Sequence, residues 1–132
     1  MTGVQTCALP ISLGRWRSSV AELAVPYVRP QENGGRADVR WLELRAADGS
    51  GLRMAFDRPL QVSATHHRAE DIAAAGHDID LRARPETIVH LDVAHRGLGT
   101  ASCGPDTLPG YRFGPGTYAW SWSIATLAAG RS

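Results

Sequence analysis

Alternation of large apolar side chains with small or polar ones is the feature that most constrains the fold of this chain. An alternation with a period of two places the large side chains on one face of a β-strand. Clusters of glycine, proline and polar residues separate these runs and predict turns between strands. The alternating runs are residues 52–56, 60–64, 89–93 and 118–124.

A β-hairpin is predicted near the middle of the chain. Residues 39–45 read as a strand with Trp41 on one face and both Leu42 and Leu44 on the other. The Asp48-Gly49 pair follows directly, and this dipeptide is typical of a tight turn between two antiparallel strands. Residues 39–56 are therefore expected to form one hairpin.

One short helix is predicted at residues 69–75. Glu70 and Asp71 suit its first turn, where negative side chains face the positive end of the helix dipole, and Gly76 suits its end. With strands elsewhere, we expect an all-β fold: an antiparallel β-sandwich, or part of one, with one short helix.

Size and charge bound the function. A chain of 132 residues is one domain or part of one. The net charge of +1 gives no reason to expect a nucleic acid as partner. No apolar run approaches the about 20 residues that a membrane span needs. We expect a cytoplasmic location and no membrane partner.

The first residues, MTGVQTCALPI, match the translation of a common sequencing-library adapter read from a GTG start codon. A secretory signal fits poorly because Arg15 follows the apolar residues, and a strand fits poorly because alternation is missing. We expect residues 1–11 to be non-native and to pack poorly, and the natural sequence to begin at Ser12 as one end of a longer gene. Cys103 is then the one native cysteine, so no internal disulfide is implied.

A metal site is not favoured by the histidines. A zinc site draws three or four ligands together, usually with two of them at close helical or hairpin spacing. No pair in this chain has the HxH or HxxxH spacing, so isolated structural roles are expected. The five histidines are His66, His67, His77, His90 and His95.

The sequence also gives no complete set of catalytic side chains. A glycosidase needs two carboxyl groups about 5 to 9 Å apart, and nothing in the sequence brings together two of Glu32, Asp92 and Asp106. A nucleophilic Cys103 needs a base and an orienting group; His95 lies eight residues upstream, and no third member is evident. Structural roles are favoured for Glu32 and Cys103.

The segment DVAHRGLGTASCGPDTLPGY, residues 92–111, is the most informative loop. It carries four glycines and two prolines, which indicate a long, shaped excursion between strands. Such loops are where sandwiches bind their ligands. It is not a phosphate cradle, because Ser102 stands where GxGxxG requires its third glycine.

Three segments together resemble bacterial β-galactosidases of glycoside hydrolase family 2. PYVRPQENGGRADVRWLEL, residues 26–44, is similar to the family's YxxPxENGxRxxxR segment. THHRAEDIAAAGHDIDL, residues 65–81, is similar to TxHxxxDLxxAxHxxxL, and residues 92–111 are similar to DxxxxGxGxxxxGPxxxPxY. Their order and spacing agree with the family.

The resemblance implies that residues 12–132 are the C-terminal part of the last, or small-chain, domain, a large sandwich of the galactose-mutarotase-like type. Such enzymes hydrolyse terminal β-D-galactosides such as lactose by a retaining mechanism. The two catalytic glutamates of the family lie in an upstream barrel, so the chain alone is expected to be inactive. Mg and Na, where the family uses them, bind outside this portion, so no cofactor is expected here. The expected partners are the rest of the enzyme chain, its galactoside substrate and further subunits of a homo-oligomer.

The resemblance also implies residue roles. Cys103 lies at the pocket rim, where many members have tryptophan, with Ser102 and Gly104 beside it. The base of the loop is expected to be fixed by Asp92, His95, Gly97 and Gly99. A buried polar cluster is expected to contain Glu32, Asn33 and Arg36. Core packing is favoured over a carbohydrate platform for Tyr118, Trp120 and Trp122.

Two other functions stay open. One is a free-standing, non-catalytic carbohydrate-binding or interaction sandwich. The other, less favoured, is a metal hydrolase that uses the histidines.

Overall fold

A computed structural model describes residues 2–4, 14–25, 34–96 and 104–130. In this part of the chain, β-strands dominate and the helices are short. The elements in chain order are β1 (Thr2–Val4), β2 (Trp16–Ser18), α1 (Val20–Leu23), β3 (Arg36–Arg45), β4 (Gly51–Thr65), α2 (Ala69–Ala74), a 3₁₀ turn (Asp78–Asp80), β5 (Ile88–Asp92), a second 3₁₀ turn (Pro109–Tyr111) and β6 (Trp122–Leu127).

All described strand pairs are antiparallel, which confirms the predicted all-β, sandwich-like class. The strands join in the order β2-β1-β3-β4-β5, and β6 also pairs with β4. None of the described helices has the length and apolar character of a membrane span.

Two α-helices are present rather than the predicted one. The predicted helix is confirmed as α2, one residue shorter than expected. The other, α1, has four residues and begins at a capping box in which Ser19 Oγ accepts from Glu22 N and Glu22 Oε2 accepts from Ser19 N. This reciprocal pair satisfies two orphan donors of the first turn, so even a single turn of helix is stabilised.

The 15-residue strand β4 organises the sheet. Along one edge it pairs first with β6, over residues 51–56, and then with β5, over residues 61–65. Pro59 falls in the gap between these two ladders, where its missing N–H leaves no ladder bond unmade. The runs predicted on either side of Pro59 are therefore two halves of one strand.

The core lies where the two halves of β4 meet β3. Met54, Leu60 and Val62 are buried on one face of β4, as the alternation predicted. Val39 and Leu42 of β3 are fully buried beside them, although residues three apart lie on opposite faces of a regular strand. The pairing register shifts on both sides of Val39, and Asp38 has a φ of +56°, so a bulge turns both side chains inward.

The predicted hairpin is confirmed between β3 and β4. Ala46 N donates to Ser50 O at 2.8 Å, and Gly49 takes a φ of +84°, which glycine adopts without steric cost. A Cβ at Gly51 would overlap the carbonyl oxygen of Leu44, so no other residue fits there. The faces of β3 are as expected, because Leu42 is buried and Arg53 lies over the Trp41 ring on the other side, 4.5 Å from its centroid.

The last strand differs from the prediction. It begins at Trp122 rather than near Tyr118, and it continues to Leu127. Trp120 packs against the core, but Trp122 is 48% exposed and Tyr118 is 47% exposed. The predicted core packing is therefore wrong for these two side chains, which stay about half exposed.

Three residues of the segment expected to be an adapter translation form β1. This strand pairs with β2 on one side and β3 on the other, Val4 lying opposite both Trp16 and Leu42. The expectation that residues 1–11 are non-native and pack poorly stays a prediction. Backbone pairing with the free edge of β3 requires little from the side chains, which explains why a short segment without alternation can occupy it.

Candidate functional site

The glycine-rich loop between β5 and the second 3₁₀ turn is the candidate site. Its two flanks, residues 92–96 and 104–111, belong to the described part of the chain. The predicted rim residues Ser102 and Cys103 lie outside the described residues. The same holds for the predicted Gly97 and Gly99 of the loop base and for Glu32 and Asn33 of the polar cluster.

An ion pair joins the two flanks of this loop. Arg96 Nη2 lies 2.5 Å from Asp106 Oδ2. Arg96 is the last described residue before the central segment, 97–103, and Asp106 follows it closely. The contact therefore sets the separation of the two described flanks of this loop.

A second arginine, Arg112, contacts the same carboxylate. Arg112 Nη2 lies 3.3 Å from Asp106 Oδ2, and Arg112 Nε donates to the Thr107 carbonyl. Thr107 N donates to Asp106 Oδ1 at 2.7 Å, and Thr107 is 5% exposed, the one buried polar residue in the described part of the chain. Arg96, Asp106, Thr107 and Arg112 form what we call the loop clasp.

The electrostatics of the loop clasp favour an ionised carboxylate. The hydrogen bond from Arg96 lowers the pKa of Asp106, and the Thr107 N–H and the charges of both arginines lower it further. Charge-assisted hydrogen bonds of this kind are stronger than neutral ones. Asp106 is thus an ionised hydrogen-bond acceptor whose two oxygens both contact residues of the loop clasp.

The other predicted site residues that are described do not join the loop clasp. Asp92 is half-buried at the end of β5, opposite Gln61, and His95 is exposed. Gly104 is exposed, and a Cβ built there meets no described atom within 4 Å. Arg36 is half-buried at the start of β3, where Nη1 donates to Gly35 O. The roles expected for these four residues stay predictions.

Exposed aromatic side chains follow the loop. Phe113 and Tyr118 meet edge to face with centroids 6.1 Å apart, and Tyr118 OH donates to Gly114 O. Trp120 and Trp122 stack with centroids 6.5 Å apart. Aromatic faces that stay wet are suited to stacking on an apolar or sugar surface.

A second ionic cluster holds α2 against the irregular segment that precedes β5. Both Arg84 guanidinium nitrogens Nε and Nη2 donate to the carboxylate of Asp71, at 2.6 and 2.7 Å. Asp71 also accepts from Arg68 N, and Glu86 lies 3.2 Å from the Arg68 guanidinium. The Arg84 hydrogen bonds, with the Arg68 N–H, lower the pKa of Asp71 far below its usual range. This cluster positions the helix.

The histidines do not converge. His66 Nδ1 lies 3.0 Å from the Glu86 carbonyl oxygen, and His77 lies 3.6 Å from Asp80. His67 Nδ1 is buried without a hydrogen-bond partner among the described residues. Within residues 14–25, 34–96 and 104–130, no group of three His, Cys, Asp or Glu side chains could hold a metal ion. The remaining two histidines, both exposed, are His90 and His95.

One open cleft of about 540 Å³ lies away from the loop. Val20 of α1, Leu44 of β3 and Leu52 of β4 give it apolar walls, and His66 also lines it. None of the residues predicted for the site lines this cleft. The loop is therefore the stronger candidate.

The loop clasp was missed by sequence reasoning. Asp106 was considered as a carboxylate, but Arg96 and Arg112 were not singled out as its partners. The chain has 14 basic residues, and no pattern distinguishes these two from the others. The signal that could have found them is their place in the sequence on either side of the glycine-rich loop. Oppositely charged residues that flank a loop can form an ion pair that joins its two ends.

Comparisons with known proteins give the family of this chain. Residues 11–124 match the family described as Beta galactosidase small chain, and the match includes the whole loop. The chain is 36% identical over 108 residues to a β-galactosidase of Arthrobacter sp. (strain B7), covering 78% of the chain and 11% of that protein. It is 33% identical over 114 residues to a β-galactosidase of Aeromonas hydrophila, covering 86% of the chain and 10% of that protein.

More distant relatives give the same picture. The chain is 29% identical over 101 residues to a β-galactosidase of Kluyveromyces lactis, covering 75% of the chain and 10% of that protein. The chain thus spans about a tenth of the length of the curated relatives it matches. From the span of the family match and the identity to these enzymes, the chain belongs to the β-galactosidase small-chain family.

Proposed function

We propose that this chain is the C-terminal portion of a β-galactosidase of glycoside hydrolase family 2 that hydrolyses terminal β-D-galactosides such as lactose. The observation that carries the proposal is the family match over residues 11–124, which contains the loop and its clasp. In this proposal the enzyme is cytoplasmic and homo-oligomeric, and this portion shapes the mouth of the sugar site and supports assembly.

The chemistry is assigned to residues outside this chain. A retaining glycosidase uses two carboxyl groups about 5 to 5.5 Å apart, one as nucleophile and one as acid and base. The best-placed carboxylate of the loop, Asp106, gives its oxygens to Arg96, Arg112 and the Thr107 N–H. This arrangement supports a scaffold role for Asp106, with the two glutamates supplied by an upstream barrel.

The loop clasp supports the role at the sugar site. A segment that contacts a substrate must be held in place before binding, because ordering it later costs affinity. Arg96 and Asp106 join the two described flanks of residues 97–103, which supports a loop whose ends are held in place. Cys103 offers a smaller and less aromatic surface than tryptophan, so stacking on the second sugar is weaker.

The test is a substitution in the longer enzyme that carries this portion. Cys103→Trp is expected to lower KM for lactose by about two- to tenfold, the range of one aromatic contact, with little change in kcat. Cys103→Ser is the matched control, because it keeps the size of the side chain and adds no ring. If Cys103→Trp changes neither KM nor acceptor preference, Cys103 does not lie at the pocket.

A second candidate function is a free-standing carbohydrate-binding or interaction sandwich. The observation that favours it is the exposure of Tyr111, Phe113, Tyr118 and Trp122, which lie close together in the chain. Titration of the purified chain with lactose, followed by tryptophan fluorescence, separates the two functions. Saturable binding that Trp122→Ala abolishes supports the free-standing function, whereas absence of both binding and hydrolysis supports a portion that needs the rest of the enzyme.

A further inference from the structure

The turn between β3 and β4 contains the one Asp-Gly pair of the chain, Asp48-Gly49. Gly49 takes a φ of +84°, and a Cβ there would lie 3.0 Å from Gly130 N, so the turn needs glycine at this position. Glycine after an aspartate has a chemical consequence, because no side chain shields its amide nitrogen from the aspartate carboxyl group. Every other aspartate of the chain precedes a residue that has a side chain.

The reaction that this pair favours is isoaspartate formation, which needs no enzyme and no reactant except water. The Gly49 nitrogen attacks Asp48 Cγ, so an N–C bond forms, the C–OH bond breaks, and the hydroxyl group leaves with the amide proton as water. Water then opens the five-membered succinimide ring. Addition at the side-chain carbonyl restores aspartate, whereas addition at the main-chain carbonyl leaves the main chain running through Cγ.

The Asp48 carboxyl group is held by Ser50. Its Oδ1 accepts from Ser50 N at 2.9 Å and from Ser50 Oγ at 2.6 Å. The first contact is a turn in which an aspartate side chain accepts from the backbone two residues on. Hydrogen bonds to an ionised oxygen are stronger than neutral ones. Formation of the N–C bond requires the carboxyl carbon to move onto the Gly49 nitrogen, so both contacts with Ser50 oppose it.

The Asp48–Gly49 peptide group is also hydrogen-bonded at both of its polar atoms. Gly49 N donates to Ala46 O at 3.1 Å, and the Asp48 carbonyl accepts from Gly130 N at 3.0 Å. The next carbonyl, that of Gly49, accepts from Arg45 Nη1 at 2.8 Å. The nitrogen that would attack is therefore engaged until the turn opens locally.

Ser50 also acts on the charge of Asp48. The hydrogen bond from the Ser50 hydroxyl lowers the pKa of Asp48, and the Ser50 N–H lowers it further. Loss of water from the carboxyl group requires the protonated form, because the ionised form has no hydroxyl group to lose. Both effects of Ser50, on position and on charge, act in the same direction.

We propose that Asp48-Gly49 is a site of spontaneous isoaspartate formation and that the two hydrogen bonds from Ser50 restrain this modification in the folded chain. The product has one additional carbon in the main chain of a turn whose ends are fixed by β3 and β4. The contacts with Arg45 and Gly130 are then lost or weakened, so the modification loosens the hairpin and the segment after β6. The inference is independent of the proposed function.

The experiment follows isoaspartate in the purified chain during incubation at neutral pH. Trypsin cleaves after Arg45 and Arg53 and releases peptide 46–53, AADGSGLR. Its aspartate and isoaspartate forms have the same mass, separate by chromatography, and are identified by electron-transfer fragmentation. A synthetic peptide of this sequence gives the unrestrained rate. We expect the folded chain to convert more slowly than the peptide, because local opening must come first.

Four variants test the restraint, and each rate is divided by that of the synthetic peptide with the same sequence. Ser50→Ala is expected to convert about two- to tenfold faster than the parent chain, the change in local opening that loss of one hydrogen bond allows. Ser50→Thr keeps both donors and is expected to match the parent chain. Ser123→Ala is the matched control, because it removes an exposed hydroxyl group on β6. Asp48→Glu is expected to give no such product, because its longer side chain cannot form the five-membered ring.

Circular dichroism verifies that each variant keeps its β-structure. Three results would overturn the proposal: a synthetic peptide that forms no isoaspartate, a folded parent chain that converts as fast as its peptide, or Ser50→Ala at the parent rate. Equal acceleration in Ser123→Ala or in Ser50→Thr would also overturn it, because the two hydrogen bonds from Ser50 would then not be the cause. None of these readouts depends on galactoside hydrolysis.

Discussion

Leu60 tests the arrangement of the core most sharply. It is 1% exposed, lies opposite Val39 in register, and belongs to the cluster in which the two halves of β4 meet β3. Leu60→Ala removes buried methyl groups at a point where neighbours on both strands are held by backbone pairing. We therefore expect little collapse of the resulting cavity.

The magnitude follows from the burial of this side chain. The transfer of a buried leucine side chain to water costs about 1.5–3 kcal/mol, and the cavity raises the total to about 3–5 kcal/mol. In a chain of this size that loss corresponds to a decrease in Tm of roughly 10–20 °C. Total stability of a domain is about 5–15 kcal/mol, so the variant is expected to fold with a visibly earlier transition.

The assay is urea unfolding followed by tryptophan fluorescence, because Trp120 packs against this core. All variants are compared at one protein concentration, since association adds to apparent stability. The control is Ile79→Ala, at a side chain that is 77% exposed, with an expected change within about 0.5 kcal/mol. A loss below about 1 kcal/mol for Leu60→Ala, or one equal to that of the control, would refute the described core.

Three further predictions concern the bulge, the helix and the loop. Asp38 has a φ of +56°, a value that glycine adopts easily and a β-branched residue does not. Asp38→Gly is therefore expected to raise the free energy of unfolding in urea by up to about 1 kcal/mol, and Asp38→Val to lower it by about 1–2 kcal/mol. The opposite ranking of the two variants would contradict the bulge. The pKa of Asp71 is lowered by Arg84, so its contribution to stability is present above about pH 5 and falls as the pH drops through 4. Tm measured from pH 2.5 to 6 should therefore depend less on pH in Asp71→Asn, and an unchanged slope would contradict the ion pair. Asp106→Asn weakens the contact with Arg96 and changes the group that accepts from Thr107 N. Hydrogen exchange of the Thr107 amide should therefore become faster than in the parent chain. An unchanged exchange rate would exclude the loop clasp.

Much of the fold could be predicted from the sequence because burial and alternation are directly coupled in strands. Met54, Leu60 and Val62 face the core because every second residue of β4 lies on the same side. The β3–β4 turn could be predicted because Gly49 needs a positive φ. These features depend on residues close together in the chain.

The boundary of β6 could not be predicted from alternation. The pattern extends back to Tyr118, but pairing with β4 begins at Trp122, next to the contact of Asp57 with Ser121. Those two residues are 64 positions apart. Alternation shows which side chains share a face, whereas a ladder requires a partner backbone, which only the fold supplies.

The loop clasp was unpredictable for a related reason. Arg96 and Asp106 are ten residues apart, and their contact depends on how the loop returns to the sheet. The same holds for Arg84 and Asp71, which are 13 residues apart and meet only because the segment before β5 returns to α2. Family resemblance marked the loop as a site, and the structure adds the contacts that hold its ends.

The most direct test of the central claim is to determine the genomic DNA sequence that precedes the Ser12 codon. The claim is that this chain is the C-terminal portion of a β-galactosidase whose catalytic glutamates lie upstream. It predicts an open reading frame that continues upstream in frame into a barrel with two such glutamates. A natural stop codon close before Ser12 would contradict it.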